Sequence, residues 1–222
     1  DKSVSMDELL HALDTDFEGM EGEKIRQKLL ATPKFGNDDD YVDEFARFLT
    51  DTFMKEVETY ESGRGGHLVG GFFTLSSTVP LGHETPATPN GRKARTPISD
   101  SVSPTNGVEE NGPTAVLNSA AKIDHSRCAA GNAVNIKFSP GALESAGKLE
   151  KFANLITAYL IDMHGFEVQI NVVSADTLRA AQKNPAEYRD LIIRIAGYSA
   201  RFVELAPDIQ EDLITRTEHQ MV

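Results

Sequence analysis

Cysteine is almost absent from this sequence, with Cys128 the single one among 222 residues. One cysteine excludes an intrachain disulfide and a metal site built from several cysteines, and such sparse usage is typical of a reducing cytosol. Long apolar runs are also lacking, since no segment approaches the length needed to cross a bilayer and no signal peptide is recognisable. We therefore expect neither a disulfide-stapled secreted domain nor a membrane protein.

Basic residues are fewer than acidic ones in this sequence. Lys and Arg number 22 against 34 Asp and Glu, which gives a formal net charge of −12. A nucleic-acid partner requires a basic face, so this balance argues against one, whereas an acidic excess helps to keep an abundant enzyme soluble. The sequence begins at Asp1 rather than at a methionine, and we expect it to be a piece of something longer.

The ordinary catalytic motifs are missing as well. The sequence has no GxGxxG or GK[ST] phosphate loop, no HExxH pair and no GxSxG nucleophile elbow. Cys128 follows His125 and Arg127, which hint at an electropositive setting for a reactive thiol. A small residue packed at the end of a helix is the favoured interpretation. An enzyme with this sequence must use unusual chemistry or groups that lie elsewhere.

Residues 1–60 have the periodicity of three helices. Ser5 is the predicted N-cap of the first, with Glu8 at capping-box spacing. The second is expected to end before Pro33. The third carries an apolar stripe that we predict to be core, formed by Phe45, Phe48, Leu49, Phe53 and Val57.

The following segment is rich in Gly, Pro, Ser and Thr. The stretch "HLVGGFFTLSSTVPLG" contains β-formers and is predicted to be one strand with a kink at Gly70-Gly71. The remainder, up to about Pro113, is predicted to be a long irregular loop, and such loops are usually functional or wrap another part of the protein.

From Pro113 onward, predicted helices and strands alternate, which indicates an α/β arrangement. Within "RIAGYSARF", Gly197 sits between two ordered elements. A turn or bulge explains it most simply, because glycine reaches positive φ without steric cost.

A second interpretation rests on resemblance. "RIAGYSARFVEL" resembles the glycyl radical signature of the pyruvate formate-lyase-like glycyl radical enzymes, and so, in the same order, do "TPNGRKARTPISDSVSPTNG", "GPTAVLNSAAKIDH", "VNIKFSP", "VQINVVSADTL" and "ITRTEH". The resemblance implies an α/β fold that is the C-terminal portion of a ten-stranded barrel, with a helical N-terminal segment. Residues 1–100 would be the tail of the barrel domain, and residues 101–222 a glycine radical domain.

The resemblance also implies a chemistry. Gly197 would store an unpaired electron, with Arg194, Ala196, Tyr198 and Ser199 forming the radical loop around it. A separate activating enzyme that uses S-adenosylmethionine and an iron–sulfur cluster would install the radical, so the chain itself needs no bound cofactor and no metal. The family's thiyl cysteine and its glutamate belong to a motif that this sequence does not contain, and Cys128 does not match it. The remainder of the barrel, or a cysteine-bearing partner chain, would have to supply them.

The variant "AGYSA" is more similar to the eliminating branch, which includes glycerol and diol dehydratases and other C–O, C–N or C–S lyases of small molecules. In that branch the strand before "PLG" lines the substrate cavity, which makes Phe73, Thr74 and Ser76 candidate contacts. Strand alternation puts Thr74 and Ser76 on one face and Phe73 with Leu75 on the other. Both sets cannot face the cavity equally.

Several alternatives stay open. The chain could be a non-catalytic spare glycyl radical domain or a split subunit that complements another chain. It could also belong to a formate acetyltransferase-type C–C lyase, or Gly197 could be a mere bulge. The radical interpretation implies an anaerobic cytoplasmic setting, a homo-oligomer when full length, and cleavage of the chain at Gly197 by oxygen.

Overall fold

The structure is a computed structural model that describes residues 4–221. Within this part of the chain, no helix is both long and apolar enough to cross a membrane. The chain forms two compact units. The first combines Asp1–Pro33 with Ser76–Ile98, and the second combines Lys34–Leu75 with Ser99–Val222.

Helices and strands alternate in the second half of the chain, which confirms the predicted α/β class. The α-helices are α1 (Met6–Asp14), α2 (Gly19–Leu30), α3 (Asp40–Val57), α4 (Thr78–Glu84), α5 (Gly112–Ala121), α6 (Ala146–Thr157), α7 (Ala175–Lys183) and α8 (Pro207–Thr215). The strands are β1 (Ala133–Phe138), β2 (Glu167–Val172), β3 (Ile192–Arg194), β4 (Ser199–Arg201) and β5 (Glu218–His219).

The first unit contains α1, α2 and α4. Helix α1 begins with the predicted capping box: the Glu8 backbone N–H donates to Ser5 Oγ at 3.3 Å, and the Ser5 N–H donates to Glu8 Oε2 at 2.8 Å. This reciprocal pair satisfies two of the donors that a helix start leaves free. The small core of the unit is formed by the buried residues Ala12, Phe17 and Ala87.

The second unit is built on a three-stranded parallel sheet in the order β2-β1-β5. The central strand β1 is almost entirely buried, as expected for a parallel strand that is covered on its faces by other elements. Its side chains pack with residues of α5 and of the segment after α6. The largest buried members of this core are Leu117, Ile123, Ile136, Phe138 and Tyr159.

A second core supports the antiparallel hairpin formed by β3 and β4. Helices α7 and α8 contribute Leu178, Leu213 and Ile214 to this core, and the hairpin contributes Ile193 and Ile195. The hairpin is therefore short but well anchored beneath its tip.

The apolar stripe on α3 does not lie in a core of this chain, and that prediction was wrong. Phe45, Phe48, Leu49 and Phe53 are 57%, 63%, 65% and 46% exposed, and Val57 is half-buried. Helical periodicity identifies the face of a helix that is apolar, but it carries no information about what covers that face.

The single strand predicted through "HLVGGFFTLSSTVPLG" is also wrong. Its extended part is limited to isolated bridges, one of which pairs Phe72 with Asn132. Leu75 has a φ of +53°, which no regular strand tolerates, and α4 begins at Thr78. Pro80 falls in the first turn of that helix, where its missing N–H costs nothing.

The predicted loop continues along the sheet of the second unit. Val102 N–H donates to the Ala133 carbonyl at 3.2 Å, and Asn135 N–H donates to Ser103 Oγ at 2.9 Å. This part of the loop therefore wraps β1. Of the two roles expected for such a long loop, a functional one or wrapping another part of the protein, the structure shows the second.

Candidate functional site

Gly197 lies at the tip of the β3–β4 hairpin. The hairpin closes with Arg194 opposite Ser199, and Ile195 N–H donates to the Tyr198 carbonyl at 2.9 Å. Gly197 has a φ of +81°, in the left-handed region that other residues rarely adopt. The turn predicted from the glycine is therefore present.

The two flanks of the glycine differ in exposure. Ala196 is completely buried, whereas Tyr198 is 38% exposed. Gly197 and Ser199 are both exposed in this chain. Gly197 thus lies at the surface of this chain, whereas the two residues before it, Ile195 and Ala196, are buried in the core.

Phe73 and Leu75 pack against the α-carbon of Gly197. A Cβ added at this position would come within 2.6 Å of Phe73 Cζ and 3.1 Å of Leu75 Cδ2. The backbone angle and the close approach each require glycine independently of the other.

Two side chains of β2 hold the hairpin from the sheet side. Gly197 N–H donates to Gln169 Oε1 at 2.7 Å. Two residues further along the strand, Asn171 Oδ1 accepts from Arg194 N–H at 2.9 Å, and Asn171 Nδ2 donates to the Arg194 carbonyl at 2.6 Å. β2 therefore fixes both the tip of the hairpin and the closing residue Arg194 by direct hydrogen bonds.

Arg216 ties the same hairpin to two buried acids. Its guanidinium donates to the Ile195 carbonyl at 3.1 Å and forms ion pairs with Asp100 at 3.3 Å and Asp212 at 3.1 Å. Burial raises the pKa of Asp100, and the charge of Arg216 opposes that rise. The network is nearly dry, so each pairing partner matters more than it would at the surface.

The structure separates the three predicted pocket residues. Phe73 covers Gly197, whereas Thr74 Oγ1 donates to Asp100 Oδ1 at 2.5 Å. Ser76 belongs to the other compact unit. Phe73 and Leu75 both approach Gly197, although neither belongs to the strand from which we predicted their shared face. The substrate-contact role of Phe73, Thr74 and Ser76 stays a prediction.

Sequence reasoning missed Gln169, Asn171, Asp100 and Arg216. A signal for the first two was available: in "EVQINV" they occupy alternate positions, so that polar side chains share one face of an otherwise apolar strand. Asp100 and Arg216 had no such signal, because their pairing joins distant parts of the chain.

Cys128 is a buried residue at the end of a short 3-10 helix, as the simpler interpretation expected. Its thiol donates to the Asp124 carbonyl at 3.5 Å, and burial raises its pKa. A raised pKa keeps sulfur protonated and poorly nucleophilic. Within residues 4–221 no cluster of three His, Cys, Asp or Glu could hold a metal ion.

Comparison with known proteins assigns both halves of the chain to known families. Residues 98–203 match the family description "Glycine radical", and residues 1–82 match "Pyruvate formate lyase-like". The isethionate sulfite-lyase of Bilophila wadsworthia is 42% identical over 100% of this chain and 27% of its own length. The trans-4-hydroxy-L-proline dehydratase of Clostridioides difficile is 40% identical over 98% of this chain and 27% of its own length.

Solved structures agree at the level of the fold. The glycerol-bound B12-independent glycerol dehydratase from Clostridium butyricum superposes with a TM-score of 0.95 at 44% identity, over 100% of this chain and 28% of that one. A structure concerned with 1,2-propanediol dehydration in Roseburia inulinivorans superposes with a TM-score of 0.95 at 42% identity. The match covers 98% of this chain and 28% of that one. The chain therefore belongs to the pyruvate formate-lyase-like glycyl radical enzymes. It spans a little more than a quarter of the length of these relatives.

Proposed function

We propose that this chain is the C-terminal, radical-bearing part of an anaerobic glycyl radical lyase or dehydratase, with Gly197 as the radical store. The observation that carries the proposal is the tip of the β3–β4 hairpin. Within the segment that matches the glycine radical family, Gly197 combines a left-handed φ with a packed aromatic ring at its α-carbon.

The chemistry explains why glycine is needed. Removal of one hydrogen atom from Cα leaves a planar centre, whose unpaired electron is shared between the amide nitrogen on one side and the carbonyl on the other. A side chain would crowd that planar centre and, at Gly197, would collide with Phe73. The ring of Phe73 also covers one side of the α-carbon, and exclusion of solvent protects a reactive intermediate.

The hydrogen atom would be removed by a separate activating enzyme that uses S-adenosylmethionine and an iron–sulfur cluster. The radical would then pass to a thiyl cysteine outside this chain, supplied by the remainder of the barrel or by a partner chain. Two observations support an external cysteine: Cys128, the single cysteine of the sequence, is buried, and the apolar face of α3 is left uncovered.

The relatives favour elimination as the reaction class. Relatives that are 36–42% identical to this chain include dehydratases, which break C–O bonds, and an isethionate sulfite-lyase, which breaks a C–S bond. We infer a small hydroxylated or sulfonated substrate and an anaerobic cytoplasmic setting. Phe73 is the predicted substrate-contact residue that lies beside the radical carbon.

A second candidate function uses the same radical site but involves no catalysis by this chain alone. The chain could act as a spare glycyl radical domain or split subunit that restores a damaged enzyme. The observation in its favour is that Cys128, the single cysteine of the sequence, is buried and so is not open to a substrate.

Anaerobic activation followed by exposure to air tests the proposal. The chain and the complete gene product are treated with an activating enzyme and S-adenosylmethionine, and intact masses are then measured, with Gly197→Ala as the matched control. We expect cleavage at Gly197 in the wild type and none in the variant. An uncut complete gene product, beside a related enzyme that is activated and cut in parallel, would overturn the radical assignment. Cleavage together with elimination activity of the complete product would exclude the spare-domain alternative.

A further inference from the structure

We propose that Gln169 is a positioning residue for the radical, because its side-chain amide accepts the N–H of the very residue that stores the electron. This role rests on the function proposed above and extends it. The bond joins Gly197 N–H to Gln169 Oε1 at 2.7 Å, across 28 positions of sequence.

The orientation of the Gln169 amide is fixed by its other partners. Gln169 Nε2 donates to Glu167 Oε1 at 2.6 Å, and Gln169 Oε1 also accepts from Arg194 Nε at 3.3 Å. A flipped amide would place its NH₂ group against two donors and its oxygen against a carboxylate, so all three bonds would be lost. The oxygen is therefore held toward Gly197.

Burial makes this arrangement effective. Gln169 is only 5% exposed, although the glycine it contacts lies at an exposed tip. A hydrogen bond shielded from water is stronger electrostatically, and linked bonds polarise one another. The Glu167 carboxylate, by accepting from Nε2, increases the negative charge on Oε1 and so strengthens the bond to Gly197.

The same bond acts on the electronics of the radical. Loss of one hydrogen atom from the Gly197 α-carbon leaves one electron there, and no other bond to Gly197 breaks. The amide nitrogen donates electron density toward that carbon. An acceptor on its N–H raises the electron density at nitrogen and increases this donation. Gln169 thus holds the glycine beside Phe73 and strengthens the donor side of the radical centre.

Three variants of the complete gene product separate these effects. Gln169→Met keeps the length of the side chain but removes the acceptor. Gln169→Glu combined with Glu167→Gln exchanges the two groups, so that a carboxylate accepts from Gly197 and the amide of residue 167 donates to it. Gln27→Glu is the control for the glutamine-to-glutamate change, since Gln27 Nε2 likewise donates to a glutamate, Glu23 Oε1, at 2.7 Å, but on an exposed helix face.

The readouts are the radical per chain and the electron-spin coupling to the Gly197 nitrogen, measured by EPR on protein with ¹⁵N-labelled glycine. We expect Gln169→Met to lower the radical yield about fivefold, the ratio that corresponds to one lost hydrogen bond. The nitrogen coupling should increase from Gln169→Met through wild type to the exchanged pair, and Gln27→Glu should match wild type.

A merely structural role would not produce this order. If Gln169→Met and the exchanged pair both fold and show the wild-type coupling and yield, the role of Gln169 is overturned while the radical at Gly197 stands. If the wild type itself gives no radical, under conditions that activate a related enzyme, the proposed function fails and the role of Gln169 fails with it.

Discussion

The ring of Phe73 lies against the α-carbon of Gly197, so closely that a Cβ at the glycine would be 2.6 Å from Phe73 Cζ. The two residues are far apart in the sequence, and neither lies in a long regular element. Their contact joins the loop that precedes α4 to the tip of the β3–β4 hairpin. It defines the immediate environment of the proposed radical.

Gly197→Ala should lower the stability of the folded protein as well as abolish the radical. The left-handed angle alone costs an alanine about 1 kcal/mol, and the clash with Phe73 adds to it. A double-mutant cycle with Phe73→Ala, measured by chemical denaturation, should show a smaller cost of Gly197→Ala once the ring is gone. Equal costs in both backgrounds would mean that the ring does not press on this position.

Phe73→Ala should make the radical more sensitive to oxygen. Without the ring, one side of the Gly197 α-carbon loses its apolar cover. We expect the EPR signal to decay faster in air and the cleaved product to accumulate sooner. Leu149→Ala, which removes an exposed leucine of α6, should decay at the wild-type rate. A Phe73→Ala radical as long-lived as wild type would contradict a shielding role.

Arg216→Met should destabilise the fold by about 3 kcal/mol, because it leaves Asp100 and Asp212 buried without their cation. It also removes the attraction that opposes the raised pKa of Asp100. An acid whose folded pKa is raised binds more protons folded than unfolded, so stability falls as pH rises above the ordinary value of 3.8 toward the folded one.

The loss caused by Arg216→Met should therefore be larger at pH 7 than at pH 5 in thermal unfolding. Arg201→Met breaks an exposed pair with Glu204 at 3.2 Å and should change stability by less than about 1 kcal/mol at either pH. A pH-independent effect of Arg216→Met would show that the loss comes from packing alone.

Replacement of Phe45 and Phe48 by serine should leave the stability of this chain nearly unchanged, within about 0.5 kcal/mol, because both rings are exposed. It should reduce the binding of a hydrophobic dye by the isolated chain. In the complete gene product, where we expect that face to be covered, the same substitutions should lower the melting temperature. Equal melting temperatures with and without the substitutions would argue against a covered face.

Local patterns accounted for most of the secondary structure. The capping box at Ser5 and Glu8 forms as its spacing predicts, because a cap depends on residues within one turn. The alternation of helices and strands after Pro113 identified the α/β class for the same reason. The strand predicted through Phe72 and Leu75 failed because Leu75 adopts a positive φ, which side-chain alternation does not reveal.

The sequence by itself pointed to Gly197, because the motif around it is contiguous and glycine suits both a turn at positive φ and the radical proposed for this position. The tertiary structure decided what surrounds it. Gln169, Phe73 and Arg216 reach the hairpin from three separate segments. Such contacts depend on how β2, the loop before α4 and the end of α8 are packed, and hydrophobic periodicity reports only which face of each element is apolar. For the same reason the stripe on α3 could be recognised from sequence, but its exposure could not.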